Sequence, residues 1–443
     1  MTHLAIIADD LSSATDCGAQ VARCGQSVIV PLRGHTLPRQ AHQAAVISID
    51  THSRNASSER AYAAVKEATE ALAAGGWRHF YKSVDSTLRG NIGVELEAVL
   101  DVTRPDCAII APAFPNYGRT TQGGVQFLNG LPLNETEFGT DPTAPVREAN
   151  LIRLLAQGSH RKAGYMPLSS LRQGRSQVSA QLERLLADGV ELVVFDVQSQ
   201  DDLARVCTHV AASGVRVVWV GSTGLAEFVP LALGLKGSGQ PKSDVVKRLD
   251  RHPVPHPAPH PALVVAGSAS ETTRHQLLYA QSTAGLRLVT VDLAPIMAGG
   301  EAADSETHRV LAALHAAVRE GHDAGLAVSS SREEIAATQA LGAGLGLSPL
   351  QVAQRVVEVL ARVCWNMVTG GGLSGIVATG GDTAKAICDI LQVEAIEIVG
   401  EVEAGIPVMT LIGPTALPMV TKAGGFGSIS AIARSIEMVK QHA

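Results

Sequence analysis

Two groups of residues in this 443-residue chain have the types and the spacing to do chemistry. In the first group, carboxylates, cations and hydroxyls follow three short apolar runs. Asp9 and Asp10 follow Leu4–Ala8; Asp50, Thr51, His52, Ser53 and Arg54 follow Ala45–Ile49; Lys82, Ser83, Asp85, Ser86, Thr87, Arg89 and Gly90 follow Trp77–Tyr81. Arg grips a carboxylate with two parallel hydrogen bonds and Asp accepts from hydroxyls, so this mixture suits a small polyhydroxy acid better than an apolar ligand. A plainer use of the same residues is also open: Asp9, Asp10 and Asp85 could cap the following helices and pair with Arg54 and Arg89.

The second group consists of glycine turns that open helices. Gly375–Cys388 reads as strand, glycine turn and helix, with Gly380, Gly381, Asp382 and Thr383 at the crossing. A helix start of this kind leaves backbone N–H groups facing a turn that phosphate can approach closely. Val264–Thr272, which contains Ser268, and Thr421–Ser428, which contains Lys422, Gly424 and Gly425, repeat the pattern. Three such loops point to a nucleotide phosphate site, although single glycine turns are ordinary in α/β chains. Gly237–Ser243 lacks the Gly-Lys pair of a Walker A loop, and Gly342–Gly346 does not follow a strand, so P-loop and dinucleotide fingerprints are both missing. Asp382 could hold Mg²⁺ on the phosphates or take the acceptor's proton.

Both groups need strand ends to hold them. Leu4–Ala8, Val28–Leu32, Ala45–Ile49, Trp77–Tyr81, Ala108–Ala111, Leu192–Val197 and Val215–Val220 are continuous apolar runs separated by helix-patterned segments. Strands covered on both faces look like this, and their alternation with helices predicts a mainly parallel sheet. One such helix is expected over Ser58–Ala74, where Ala61, Val65, Ala68 and Leu72 recur at helical spacing behind a Ser57 or Ser58 cap. The pattern restarts at Leu263–Ala266 and continues through Leu286–Val291, Leu326–Val328, Ile376–Ala378, Ala395–Ile398 and Val408–Ile412. Between the two series lies a Pro-rich stretch, His252–Pro261, that can continue neither helix nor sheet. The expected organisation is α/β, with domains over 1–240 and 262–443, a linker over 241–261, and a mainly parallel sheet flanked by helices in each domain. Ligands of open parallel sheets bind beyond the carboxyl ends of the strands, which places both chemical groups where they can act.

Composition excludes several classes. The net charge of −6, with no Lys/Arg run, lacks the basic footprint of a nucleic-acid binder. The six cysteines show neither C-x-x-C nor zinc spacing and read as reduced core thiols. Polyproline periodicity of about three would not align His252, His256 and His260 on a metal. The N-terminus enters a strand-like segment directly and no run approaches about 18 apolar residues, so a cytoplasmic protein without membrane contact is expected. His160, Arg161 and Lys162 read as a solvated charge run, and Ala111–Gly124 as a Pro/Gly-stiffened loop whose Arg119, Thr120 and Thr121 could meet an anion.

ADDLSSATDCG (Ala8–Gly18), KSVDSTLRGNIG (Lys82–Gly93), APAFPNYGRTTQGG (Ala111–Gly124), GSASETTRHQ (Gly267–Gln276), TGGDTAKAI (Thr379–Ile387) and TKAGGFG (Thr421–Gly427) together resemble the four-carbon acid sugar kinases, in the family's order and over nearly the whole chain. The resemblance implies ATP-dependent phosphorylation of the terminal hydroxyl of threonate, erythronate or 3-oxo-tetronate. It implies an N-terminal acid-binding domain, a C-terminal ATP-binding domain and reaction in the cleft between them. Carried over by residue, Asp9, Asp10, Arg54, Lys82, Asp85, Ser86, Thr87 and Arg89 fall near the acid. Ser268, Gly380, Gly381, Asp382, Thr383, Lys422, Gly424 and Gly425 fall near the nucleotide. Asp382 or Asp85 is the expected base. Ser12 and Ser13 stand where the family commonly has Thr and Gly. ATP, Mg²⁺ and the sugar acid are the expected cofactors and partners, and a homo-oligomer is compatible with the sequence. Two rivals belong to other classes: a small-acid-binding protein indifferent to nucleotide, and an NAD-dependent dehydrogenase whose fingerprint glycines are out of register here.

Overall fold

The structure, a computed structural model, describes residues 3–32, 44–140, 145–235, 260–267, 270–328, 332–403 and 405–443. The chain divides into two compact units, Met1–Asp244 and Val245–Ala443.

The first unit contains β1 (Leu4–Ala8), β2 (Val28–Pro31), β3 (Val46–Asp50), β4 (His79–Ser83), β5 (Cys107–Ala111), β6 (Arg119–Gln122), β7 (Val125–Leu128), β8 (Leu131–Pro132), β9 (Ala163–Met166), β10 (Leu192–Phe195) and β11 (Val217–Gly221). Within it, β2-β3-β1-β4-β11-β5-β10-β9 run side by side, every pair parallel. Every residue of β1, β5 and β10 is buried, as expected of strands that helices cover on both faces. The expected helix forms over Ser58–Ala74, with the Ser57 hydroxyl accepting from the Arg60 N–H and Ala61, Val65, Ala68 and Leu72 buried.

Two sequence expectations are corrected in this unit. The stretch after β5 is not simply a loop: β6 and β7 form an antiparallel hairpin. The Asp196 carboxylate at the end of β10 accepts from the N–H groups of Gly123 (3.0 Å) and Gly124 (3.1 Å) at its tip, and from the Tyr165 hydroxyl. Nor is Arg161 part of a solvated run. Its side chain is largely buried and bridges Glu97 (3.1 Å), Asp101 (2.6 Å) and Glu191.

The second unit contains β12 (Ala262–Ala266), β13 (Arg287–Val291), β14 (Ala324–Val328), β15 (Gly375–Thr379), β16 (Ala395–Glu403), β17 (Ile406–Ile412) and β18 (Pro418–Lys422). The order β13-β14-β12-β15-β18 is parallel throughout, and β17 and β16 continue it antiparallel. Helix Pro349–Thr369 starts at a full capping box, Ser348 with Gln351, and Pro349 occupies the first turn, where its missing N–H has no intrahelical use. The helix Ala431–Gln441 seals one face, and Ile432, Ile436 and Val439 enter the core with Val264, Val377 and Val420.

Each unit is thus α/β with a mainly parallel sheet. The cysteines are free and all but Cys24 are buried. Among the described residues, no helix is long and apolar enough to cross a membrane. Most of the expected linker lies outside the described residues; where description resumes, the Pro261 carbonyl accepts from the Ser374 N–H at 2.9 Å.

Candidate functional site

In the first unit, parallel pairing of β3, β1 and β4 brings the segments after Asp50, Ala8 and Ser83 to one edge. Arg54 organises it. Its Nε and Nη2 donate to the two oxygens of Asp9 at 2.9 and 3.0 Å, Nη1 donates to Asp10, and Nη2 also reaches the Ser13 hydroxyl at 2.9 Å. Ser13 therefore adds a contact that no residue pattern announced. Asp10 is also the N-cap of helix Leu11–Arg23, accepting the Ser13 N–H at 2.7 Å, so capping and pairing are realised together. Burial pushes the Asp10 carboxyl above its ordinary value; Arg54 pulls against this and the Asp9 charge adds to it. Burial also works against the Arg54 charge, but Asp9 and Asp10 outweigh it and hold the guanidinium firmly protonated.

Asp85 opens the loop after β4 and is mostly enclosed. Its Oδ2 accepts from the Thr87 hydroxyl at 2.6 Å and from Arg89 Nε, while Oδ1 accepts the Thr87 N–H at 3.2 Å. Burial alone would raise its pKa, but the charges of Arg54 and Arg89 and these hydrogen bonds hold it below the usual carboxylate range. Arg89 also stacks over Phe138, with 5.5 Å to the ring centroid. The loop passes Gly90 at φ +98, where an added Cβ would lie 3.1 Å from Asp9 Oδ2, so a glycine is needed both for the turn and for the approach. Asn91, which sequence reasoning passed over, donates to the Ser53 and Ala56 carbonyls, both at 3.0 Å, and ties this loop to the one carrying Arg54.

Lys82 is placed differently from the other candidates. Its side chain is fully buried, with Nζ 2.8 Å from Glu95 and 2.6 Å from the Ser83 carbonyl, so its ammonium is enclosed rather than presented at the rim. Glu95 lies in the first turn of helix Ile92–Thr103, and the sequence did not single it out from Glu97 and Asp101 of the same helix. Ser86 is half-buried, and its carbonyl accepts from Gln126 at 3.0 Å. Arg119, expected to meet an anion, donates to the Tyr117 carbonyl at 2.8 Å and lies over that ring.

In the second unit, parallel pairing of β12, β15 and β18 aligns the turns that follow Ala266, Thr379 and Lys422. Gly380, at φ +97, caps helix Gly381–Ile390. Asp382 stands exposed in its first turn with no side-chain hydrogen bond or ion pair among the described residues, and Thr383 is buried. Gly267 passes so close to Thr383 that an added Cβ would meet its Oγ1 at 2.0 Å. Ser268 lies outside the described residues.

Lys422 is buried at the end of β18 and donates to the Ala423 and Gly424 carbonyls, both at 3.0 Å, and to Thr273 Oγ1 at 3.3 Å. Burial pushes its ammonium down to about 8, with Glu403 pulling the other way. The loop beyond, which includes Gly424 and Gly425, is held by Gln276, whose Nε2 donates to the carbonyls of Phe426 (3.0 Å), Gly427 (3.2 Å) and Ser428 (2.8 Å). Lys422 and Gln276 thus hold the glycine turn through its carbonyls.

Two α/β units, one with an Arg-organised acidic edge and one with aligned glycine turns, define a class that comparison makes specific. The profile of a Sugar-binding N-terminal domain matches residues 4–229, and that of a Nucleotide-binding C-terminal domain matches residues 263–432. A D-threonate kinase of Bordetella bronchiseptica is 34% identical over 445 residues, 99% of this chain and 98% of the other. A D-erythronate kinase of Heliobacterium modesticaldum is 29% identical over 443 residues, 99% and 97%. A crystal structure of a Salmonella typhimurium LT2 protein, described as a tRNA synthase, matches with a TM-score of 0.81 at 22% identity over 98% of each chain, a likeness of fold. The chain belongs to the four-carbon acid sugar kinase family.

Proposed function

We propose that this protein is an ATP-dependent kinase that phosphorylates the terminal hydroxyl of a four-carbon sugar acid: threonate, erythronate or 3-oxo-tetronate. The observation that carries the reading is the pairing, in one chain of this family, of an edge built on Arg54, Asp9, Asp10, Asp85 and Arg89 with a second edge of aligned glycine turns at Gly267, Gly380 and Gly424.

The first edge is assigned to the acid. Arg89 and Arg54 supply positive charge for its carboxylate, and Asp10, Ser86 and Thr87 supply acceptors and hydroxyls for its hydroxyl groups. Asp85 is assigned the task of orienting Arg89 and Thr87. Its depressed pKa and engaged oxygens suit a fixed anion, whereas a base needs a free oxygen and a pKa nearer the working pH. Asp382 is the better-placed base, because it is exposed at the mouth of the glycine turn with its carboxylate unengaged among the described residues. Lys82 is assigned a supporting place beneath the edge through Glu95.

The second edge is assigned to ATP, with the N–H groups of Gly381, Asp382 and Thr383 turned toward its phosphates and Ser268, Lys422, Gly424 and Gly425 shaping the cradle. The described residues include no cluster of three metal-ligating side chains. Mg²⁺ held largely by the nucleotide's own phosphates and by water fits such a donor set. The ion would supply charge neutralisation on the transferred phosphoryl group. Direct transfer demands that the acid's hydroxyl reach the γ-phosphate during turnover. The location is assigned as cytoplasmic, where ATP is available.

A coupled ADP-release assay over D- and L-threonate, D- and L-erythronate and 3-oxo-tetronate tests the reading. One of these acids should give turnover that depends on Mg²⁺ and on Asp382. ATP consumption with none of them would refute it.

A further inference from the structure

His52 is the feature of the acid edge that the assignment above leaves unused. It follows β3 in the short segment Thr51–Arg54, and its two neighbours are tied down. The Thr51 hydroxyl donates to the Ala8 carbonyl and contacts the Ser53 hydroxyl, both at 2.8 Å, and both side chains are buried. The Arg54 N–H donates to the Asp9 carbonyl at 3.2 Å and Asn91 holds the Ser53 carbonyl. Between these anchors His52 is forced into the left-handed region, at φ 51, and its side chain is 54% exposed. A bulky residue there carries a backbone cost that Gly or Asn would avoid, and such costs collect at functional positions.

The imidazole is nonetheless not loose. Asp50 Oδ1 accepts the His52 N–H at 2.7 Å, and Oδ2 stands 2.8 Å from Nδ1. The Asp50 side chain is 4% exposed, and Oδ2 is buried without a well-aligned donor in the described structure. At this distance a proton on Nδ1 is what would satisfy the buried oxygen. The carboxylate therefore selects a neutral imidazole with Nδ1 protonated and Nε2 outward as an acceptor, or the imidazolium with Nε2–H as a donor. Either form offers one oriented polar atom in the segment that carries Arg54, at the edge where β3, β1 and β4 end.

We propose that His52, oriented by Asp50, reads a secondary hydroxyl of the sugar acid and sets which stereoisomer the protein prefers. This rests on the assignment of the first edge to the acid. Threonate and erythronate carry the same groups and differ in the direction of one hydroxyl, so a single oriented partner can separate them. A site built around a hydrogen bond to a hydroxyl discriminates far more sharply than an apolar pocket does. His52 is a specificity residue in this reading and takes no part in moving the phosphoryl group.

The test uses the full chain and three variants, His52→Ala, His52→Asn and Asp50→Asn. The Asn at position 52 tolerates the left-handed backbone, so it carries the test should the Ala variant fail to fold. Affinities for D-threonate and D-erythronate are measured by calorimetry without nucleotide, and kcat and KM by ADP release. The ratio of affinities for the two acids should shrink about tenfold in both His52 variants, equivalent to about 1.4 kcal/mol. Asp50→Asn should shrink it less, and the loss should appear in KM while kcat with the preferred acid stays within about threefold. A preference ratio within twofold of the wild type in the His52 variants overturns the proposal, as does a loss confined to kcat. Wild type that binds an acid without releasing ADP refutes the kinase reading, and the calorimetric ratio then decides on His52. Wild type that binds none of the acids overturns both.

Discussion

Replacing Arg54 with Met would remove the hub of the acidic edge while keeping most of its aliphatic bulk. Asp9, whose side chain is 3% exposed, would lose two charge-assisted hydrogen bonds and its only ion pair among the described residues, and Asp10, 31% exposed, would lose one. Removing one partner of a buried pair costs ~3–5 kcal/mol, because the remaining charge stays desolvated. The partial exposure of Asp10 argues for the lower end, ~3 kcal/mol. With a urea dependence of ~2–3 kcal/mol/M, the midpoint of the first unit should fall by roughly 1–1.5 M. Trp77 and Trp219 are buried in that unit while Trp365 of the second unit is already exposed, so the emission change on unfolding is weighted toward the first unit, and a Trp365→Phe background isolates it. The deficit relative to wild type also has a pH signature. Without Arg54, the charge that pulls the Asp10 pKa down is lost and burial raises it further above its unfolded value of ~4, so the penalty is full at neutral pH and fades as acid protonates that carboxylate. Arg54→Lys keeps the charge but not the fork and should fall between the two. A deficit below about 1 kcal/mol at pH 7, or one that grows on acidification, would refute the claim that Arg54 neutralises a buried carboxylate pair.

Asp382→Asn should retain the wild-type melting profile, since the residue is exposed, yet lose at least about a hundredfold in kcat by ADP release, the usual contribution of a positioned base. Gly267→Ala drives a methyl into Thr383 Oγ1 and should destabilise the second unit by ~1–3 kcal/mol and raise the KM for ATP; adding Thr383→Ala, which removes that oxygen, should restore part of the stability in thermal melts. Lys422 titrates near 8 when folded and near 10.5 when unfolded, so the unfolded chain binds the extra proton between those values and stability rises with pH across that window. Wild type should therefore gain stability between about pH 8 and 10 relative to Lys422→Met, and parallel curves would show that the ammonium is not desolvated.

Strands with both faces covered were legible as apolar runs, and β1, β5 and β12 were found within a residue of their ends. Elements that escaped lack that signature. β9 reads Ala-Gly-Tyr-Met on the sheet edge and is only half-buried, β18 begins with a proline and ends with a lysine, and the hairpin after β5 hides among Pro and Gly. At the site, residue types announced a polar, charged rim, but not which charges were already spent on one another. Lys82 looked like a rim cation and is enclosed by Glu95; Arg161 looked solvated and sits among three acids. Glu95, Glu97 and Asp101 all come from helix Ile92–Thr103, whose facing direction is set by tertiary packing, which local spacing does not encode.

Gln276 spans a distance in the chain that sequence proximity conceals. Its single amide nitrogen, on the helix that follows β12, fastens three consecutive carbonyls of the loop that follows β18. Those two segments behave as one mechanical part: the helix cannot slide or tilt without carrying the loop along. Anyone transplanting the glycine-rich turn onto another scaffold, or exchanging it between relatives to alter nucleotide preference, would have to move helix Glu271–Thr283 with it. Insertions are better tolerated elsewhere, since lengthening the turn by one residue would put its carbonyls out of step with that amide.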